Sequence, residues 1–192
     1  MKNTKSMIST IYQTLHAADS EELEGIYKIW ASDYDHDVVE LAGYVGHLIT
    51  SSLLLSTIKN KKAKILDAGC GTGLVGEILS ENNYKKVEGV DFSQEMLDEA
   101  IQKKVYQSIR LVDLTKNLDY EDYLYDAIAC AGTFTCGHVG PEALLEIVRI
   151  TKKSGYICFT VRKQEWEASP YKEIIDNLEN SCLLYTSPSP RD

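Results

Sequence analysis

The sequence predicts an α/β fold, a Rossmann-like, doubly wound and mostly parallel sheet, and three observations predict it. Short apolar runs alternate with stretches of helical periodicity, a glycine-rich turn follows the first run, and an acidic residue closes each of the first three. The strands read as Lys64–Ala68, Val87–Val90, Ile109–Val112, Asp126–Ala129 and Tyr156–Val161. Between most of them lie helices at Leu74–Glu81, Gln94–Lys103 and Pro141–Ile150, the last with proline in its first turn. Strand–helix alternation of this kind gives a parallel sheet covered on both faces. Ligands of such sheets sit beyond the carboxyl ends of the strands, where the strand order reverses.

Two helices are expected ahead of the sheet. Leu23, Ile26, Tyr27 and Trp30 recur at amphipathic spacing over Glu21–Trp30. Over Val38–Ile58, Leu41, Val45, Leu48 and Ile49 fall on one side, and Glu40, His47 and Thr50-Ser51-Ser52 interrupt the run. That pattern predicts one core-facing helix rather than a membrane span. The expected organisation is an N-terminal helical lid or cap over 1–62 and a ligand-binding Rossmann-like domain over 63–181, with a helix at Tyr171–Leu178. Residues 182–192 read as a non-native tail: all of them match a reading-frame translation of a transposase adaptor used in sequencing-library preparation. The expectation is a truncated chain, cut near Ser181, that lacks C-terminal antiparallel strands and leaves Tyr156–Val161 as an exposed edge.

Composition narrows the function. With 44% hydrophobic residues in 192, one sizeable core is affordable. The net charge of −9 speaks against a phosphate backbone as partner, and no Lys/Arg-rich run compensates locally. Five cysteines include no C-x-x-C pair and no zinc spacing, so no metal site is expected and a reduced, intracellular, cytoplasmic protein is. No signal-peptide pattern follows the N-terminus, and no membrane partner is expected.

The chemistry concentrates in Asp67-Ala68-Gly69-Cys70-Gly71-Thr72-Gly73. Its glycines let the backbone turn tightly and approach a ligand, and the next helix offers free N–H groups there. Gly71 to Gly76 also satisfies G-x-G-x-x-G, and Asp91 lies twenty residues beyond Gly71, so a nicotinamide-dependent dehydrogenase competes as a reading. Charge separates the two. Asp67 beside a pyrophosphate is repulsive by several kcal/mol at low effective dielectric, whereas beside a sulfonium and an ammonium it is favourable or neutral. Asp91 and Asp113, at the next two strand ends, are placed for ribose hydroxyls and an adenine amino group. Each also has a plainer explanation, Asp67 or Asp91 as a helix cap and Asp113 as the start of a turn.

On these residues the chain resembles the class I S-adenosylmethionine-dependent methyltransferases. The resemblance implies S-adenosyl-L-methionine as cofactor, with Asp67, Gly69, Cys70 and Gly71 near its methionine moiety. It further implies Asp91 on the ribose, Phe92 and Met96 flanking the adenine, and Asp113 with Leu114 at its polar edge. A closer resemblance, over Ile26 to Asn177, is to the methyltransferase-like proteins named after the Williams-Beuren syndrome region. Ile26 to Asp35, with its Tyr34-Asp35 signature, and Gly89 to Ser93 carry it, and in such relatives the segment before Tyr34 folds over the cofactor. Lys153-Ser154-Gly155-Tyr156 departs from the Lys-Pro-Gly-Gly frequent in relatives.

Methyl transfer from a sulfonium needs chiefly positioning and exclusion of water. The loop Cys130 to Gly140, which includes Ala131, faces the expected position of the methyl group, and its His138 is the candidate general base, a solvated or structural loop histidine being the alternative. Tyr27, Trp30 and Tyr34 are candidate acceptor-pocket walls, with core packing as the competing role for Trp30. The expected function is methyl transfer to a small-molecule or protein nucleophile. A non-catalytic S-adenosylmethionine-binding regulatory module is the alternative.

Overall fold

A computed structural model describes residues 4–134, 139–181 and 183. Three helical segments precede the sheet. Helix α1 spans Thr4–Leu15 and α2 spans Ser20–Asp35; α2 runs on into a π-helical turn at His36–Leu41, and α3 spans Gly46–Thr57. Asp19 starts α2 by accepting the Glu22 N–H, satisfying one of the free donors of the first turn.

The sheet then alternates with helices: β1 Ile65–Ala68, α4 Leu74–Glu81, β2 Val87–Asp91, α5 Gln94–Lys103, β3 Ser108–Leu111, β4 Tyr125–Phe134, α6 Ala143–Ile150 and β5 Thr151–Val161. Helices α7 (Lys163–Ala168) and α8 (Tyr171–Asn180) follow. All five strands are parallel, in the order β3-β2-β1-β4-β5. The order reverses at β1, so the expected ligand crevice lies beyond its carboxyl end, between β1 and β4.

Strand periodicity builds two cores. Leu66, Ala68, Val90, Ile128 and Cys130 face α6 and α8, meeting Leu144, Ile147, Ile150, Ile175 and Leu178. The alternate residues Ile65, Val87, Ala127 and Ala129 face α3 and α4, meeting Leu54, Ile58, Val75 and Leu79. Burial on both faces explains why the central strands are apolar runs rather than alternating ones.

Three expectations are corrected. Val38–Ile58 is not one helix: Ala42 donates to Asp37 and Tyr44 to Val38, and Gly43 adopts a left-handed φ of 68° before α3 begins. Helical counting from Leu41 into α3 therefore fails across the break, and Leu41, Val45, Leu48 and Ile49 are exposed. The inward face of α3 is Gly46, His47, Thr50, Ser51 and Leu54, whose mostly small side chains let the helix lie close to α4, β4 and β5. Helix α6 starts at Ala143, Pro141 forming a preceding turn with Leu144. Lys153 to Tyr156 lies within β5 as an irregularity, Ser154 taking φ 63° between the pairs Tyr125–Thr151 and Ala127–Tyr156. Among the described residues, β5 has no partner on its outer side and half-exposes Tyr156.

No single described helix is long and apolar enough to cross a membrane; Glu21–Leu41 and Gly46–Thr57 would qualify only together and are bent by 81°.

The reversed face of α3 makes a measurable prediction. In urea denaturation, Leu48→Gln and Ile49→Gln should each change the unfolding free energy by less than about 0.5 kcal/mol. Leu54→Ala should cost about 2–5 kcal/mol, and the opposite ranking would contradict the orientation.

Candidate functional site

Gly69 leaves β1 with φ 76°, and Gly71 and Gly73 also take positive φ, a conformation other residues enter at a cost. A side chain at Gly69 would strike Thr133, coming within 2.8 Å of its Cγ2, so the turn can close against β4 only as glycine. The Thr133 hydroxyl donates to the Ala68 carbonyl at 2.8 Å, and the Gly69 and Cys70 N–H groups donate to Val90. These bonds join the ends of β1, β2 and β4 into one rim. Gly73 begins α4 without any side-chain cap, leaving that helix end to backbone N–H groups.

Behind the rim lies a cavity of about 420 Å³, within the range of small-molecule sites. Of the residues named from sequence, Tyr34, Gly69, Gly71, Asp91, Phe92, Met96, Asp113, Leu114 and Ala131 line it. Tyr27 lines it too, joined by Leu23 and Glu24 of α2, Gly132 and Thr133 of β4, and Val139. Asp67 and Cys70 are not on its wall but buried beside it. His138 and Cys136 lie outside the described residues.

The three acids differ. Asp91 is buried, and its two carboxylate oxygens accept N–H bonds from Gly71 at 2.8 Å and Ser93 at 3.0 Å. The twenty-residue spacing of Gly71 and Asp91 is thereby closed into direct contact. Burial nonetheless raises the Asp91 carboxyl above its ordinary range, against those backbone bonds. Asp113 is exposed and accepts from the Thr115 N–H and hydroxyl at 2.8 and 2.6 Å. It starts a turn, as the plainer reading has it, and lines the cavity as well. Asp67 is 1% exposed; one oxygen accepts the Tyr106 hydroxyl at 2.6 Å and the other has no partner among the described residues. Burial pushes its carboxyl up to about 7, the Tyr106 bond opposing and the nearby Asp91 adding to the rise.

Helix α2 covers the mouth. Tyr27 meets Phe92 edge-on at 6.0 Å and Tyr34 at 6.2 Å. Burial raises both phenols well above their usual range, so they stay protonated. Trp30 is a packing residue: it is buried, meets Tyr34 at 4.9 Å and donates its indole N–H to Asp37 at 2.8 Å. At the end of α2, Asp35 accepts the Thr72 hydroxyl at 2.5 Å and the Lys103 ammonium at 2.6 Å, and Lys103 also meets Glu77 at 2.6 Å. These bonds tie α2 to the glycine loop, α4 and α5.

Sequence reasoning missed Tyr106 and the Asp35–Thr72–Lys103–Glu77 cluster, and it placed Thr133 in a loop, whereas Cys130 to Phe134 belong to β4. Their partners lie 26 to 68 residues apart, and no local spacing carries such contacts.

The residues fit S-adenosylmethionine. A buried carboxylate oxygen without a partner suits a cationic group, ionised carboxylates accept from a diol or an amine, and a turn without side chains admits a ligand against the backbone.

Comparison with known proteins agrees. A methyltransferase domain model matches residues 66–159. Human (Homo sapiens) methyltransferase-like protein 27 is 33% identical over 153 residues, covering 78% of this chain and 61% of that protein. The 18S rRNA (guanine-N(7))-methyltransferase of Bos taurus is 36% identical over 74 residues, 38% of this chain and 26% of that protein. The chain thus spans less than two thirds of either relative. A structure of an S-adenosyl-L-methionine-dependent methyltransferase from Methanococcus maripaludis shares the fold at TM-score 0.57 and 19% identity, covering 80% of this chain and 71% of that one. The rRNA methyltransferases among the relatives correct the expectation of a small-molecule acceptor with nucleic acid set aside. A net charge averages the whole surface, whereas phosphate contacts are local. The glycine turn, the acids of the strand ends, the domain match and the human relative lead to one assignment: residues 66–159 carry a methyltransferase domain, and the chain has the Rossmann-like fold of the class I S-adenosylmethionine-dependent methyltransferases.

Proposed function

We propose that this chain transfers the methyl group of S-adenosylmethionine to a nucleophile held beside Ala131, Gly132 and Thr133, with α2 closed over the site. The observation that carries the reading is the unpartnered, buried oxygen of Asp67 next to a cavity that Asp91 and Asp113 line. Bound there, the cofactor supplies a methyl group already activated on a sulfonium.

The chain's own residues bind and orient. Asp91, held by Gly71 and Ser93, keeps lone pairs for ribose hydroxyls, since each carboxylate oxygen accepts more than one hydrogen bond. Phe92, Met96 and Leu114 supply apolar walls for a base, and Asp113 an acceptor at its edge. Asp67 offers negative charge to the cationic end of the ligand. Tyr27 and Tyr34 exclude water from the mouth. Asp35 holds α2 down through Thr72 and Lys103, which supports reading α2 as a lid over the site.

The acceptor is best sought directly. Protein incubated with methyl-labelled S-adenosylmethionine and separated RNA, protein and small-molecule fractions of a cell extract should label one fraction. Cofactor binding without label in any fraction would contradict catalysis and leave a binding module.

Asp67 also sets a pH dependence. Its carboxyl is neutral below about 7 and ionised above, so affinity for the cationic cofactor should rise with pH and level off past that point. Calorimetry should find binding about tenfold weaker at pH 6 than at pH 8, and Asp67→Asn should flatten the profile. Closure of the lid should appear in hydrogen exchange: cofactor is expected to slow exchange over residues 27–37, and Lys103→Met to reduce that protection. Equal exchange with and without cofactor would remove the lid from the account.

A further inference from the structure

Tyr106 stands between α5 and β3, in a stretch that belongs to no motif. Its ring is seated under the glycine turn, and three glycines make the room. A Cβ on Gly76 would come within 2.7 Å of the ring's Cε1, one on Gly73 within 3.2 Å of Cε2, and one on Gly89 within 3.2 Å of Cδ1. In a dinucleotide fold the third glycine of G-x-G-x-x-G lets helix and strand pack closely. Here the glycine in that position, Gly76, leaves space for a phenol. The spacing that imitates a dinucleotide site is accounted for by a side chain of the protein itself.

The seated ring delivers its hydroxyl to Asp67, donating to Oδ2 at 2.6 Å, while Oδ1 stays buried and unpartnered among the described residues. A hydrogen bond to an ionised acceptor is short and strong, so it fixes the rotation of the carboxylate and decides which oxygen remains available. The other titratable groups that act on Asp67 or are acted on by it are Asp91 at the end of β2, Cys70 in the glycine turn, Cys130 on β4 and Tyr44 ahead of α3. None is a cation. The Tyr106 hydroxyl is the chief group that favours the ionised carboxylate, assisted by the Gly76 backbone.

We propose that Tyr106 is a positioning residue for cofactor binding, its hydroxyl locking the Asp67 carboxylate so that Oδ1 faces the cationic end of S-adenosylmethionine. The role rests on reading this cavity as the cofactor site. Tyr106 touches no reacting atom and acts through Asp67.

The test is calorimetric titration of S-adenosylmethionine into the parent chain, Tyr106→Phe, Asp67→Asn and the double variant, each from pH 6 to 8.5. Phenylalanine keeps the ring between the three glycines and removes only the hydroxyl. The midpoint of the pH dependence should move up by about one unit in Tyr106→Phe, which is about fivefold weaker binding at pH 7 with recovery toward pH 8.5. In the Asp67→Asn background, removing the hydroxyl should change little further. A uniform loss at every pH, or an unmoved midpoint, would overturn the positioning role while leaving the cofactor reading intact. A parent that binds no cofactor would sink the cofactor reading and this role with it; should Tyr106→Phe instead fail to fold, NMR of the unaltered chain decides. A slowly exchanging Tyr106 hydroxyl proton whose shift follows the titration of the Asp67 carboxyl supports the proposal, and independent titration of the two groups overturns it.

Discussion

A carboxylate buried at the end of the central strand governs this molecule. Asp67 sits where the strand order reverses, and burial alone would keep it neutral. One hydrogen bond from Tyr106 satisfies half of it and leaves the other half open. An open, buried acceptor is costly unless a ligand completes it, and the surrounding chain is arranged as though one does. The glycines clear the approach, Asp91 is held by two backbone bonds, and α2 is fastened across the mouth by Asp35. On the proposed reading of the site, stability and binding are coupled at one residue.

The sheet was largely legible in the sequence because its signals are local. Short apolar runs, helical periodicity and the glycine turn are properties of neighbouring residues, and each of the five predicted runs falls on a strand, although β4 runs on to Phe134 and β5 starts at Thr151. The all-parallel order follows from the alternation of strands with crossover helices. Cavity-lining residues at strand ends were legible for the same reason, since a parallel sheet brings those ends to one edge.

What escaped was long-range or depended on phase. Helix α3 shows the second kind: Leu48 and Ile49 fit a helical stripe as well as His47, Thr50 and Ser51 do, and only the π-helical turn and Gly43 decide which stripe faces inward. Tyr106 shows the first kind, because its meaning comes from glycines that are distant in the chain and from an acid 39 residues away. Asp113 shows that a dual role is invisible to spacing, being a turn former and a cavity wall at once. Net charge misled in a different way: a sum over 192 residues has no position, and an acceptor is recognised at a place.

The proposed site favours a cationic nucleoside over a diphosphate. Its most direct measurement is a competition titration at pH 8 and moderate salt, S-adenosylmethionine against nicotinamide adenine dinucleotide, followed by calorimetry. Saturable heat with the first that excess dinucleotide leaves unchanged is the predicted result. Saturable heat with the dinucleotide and none with S-adenosylmethionine would contradict it.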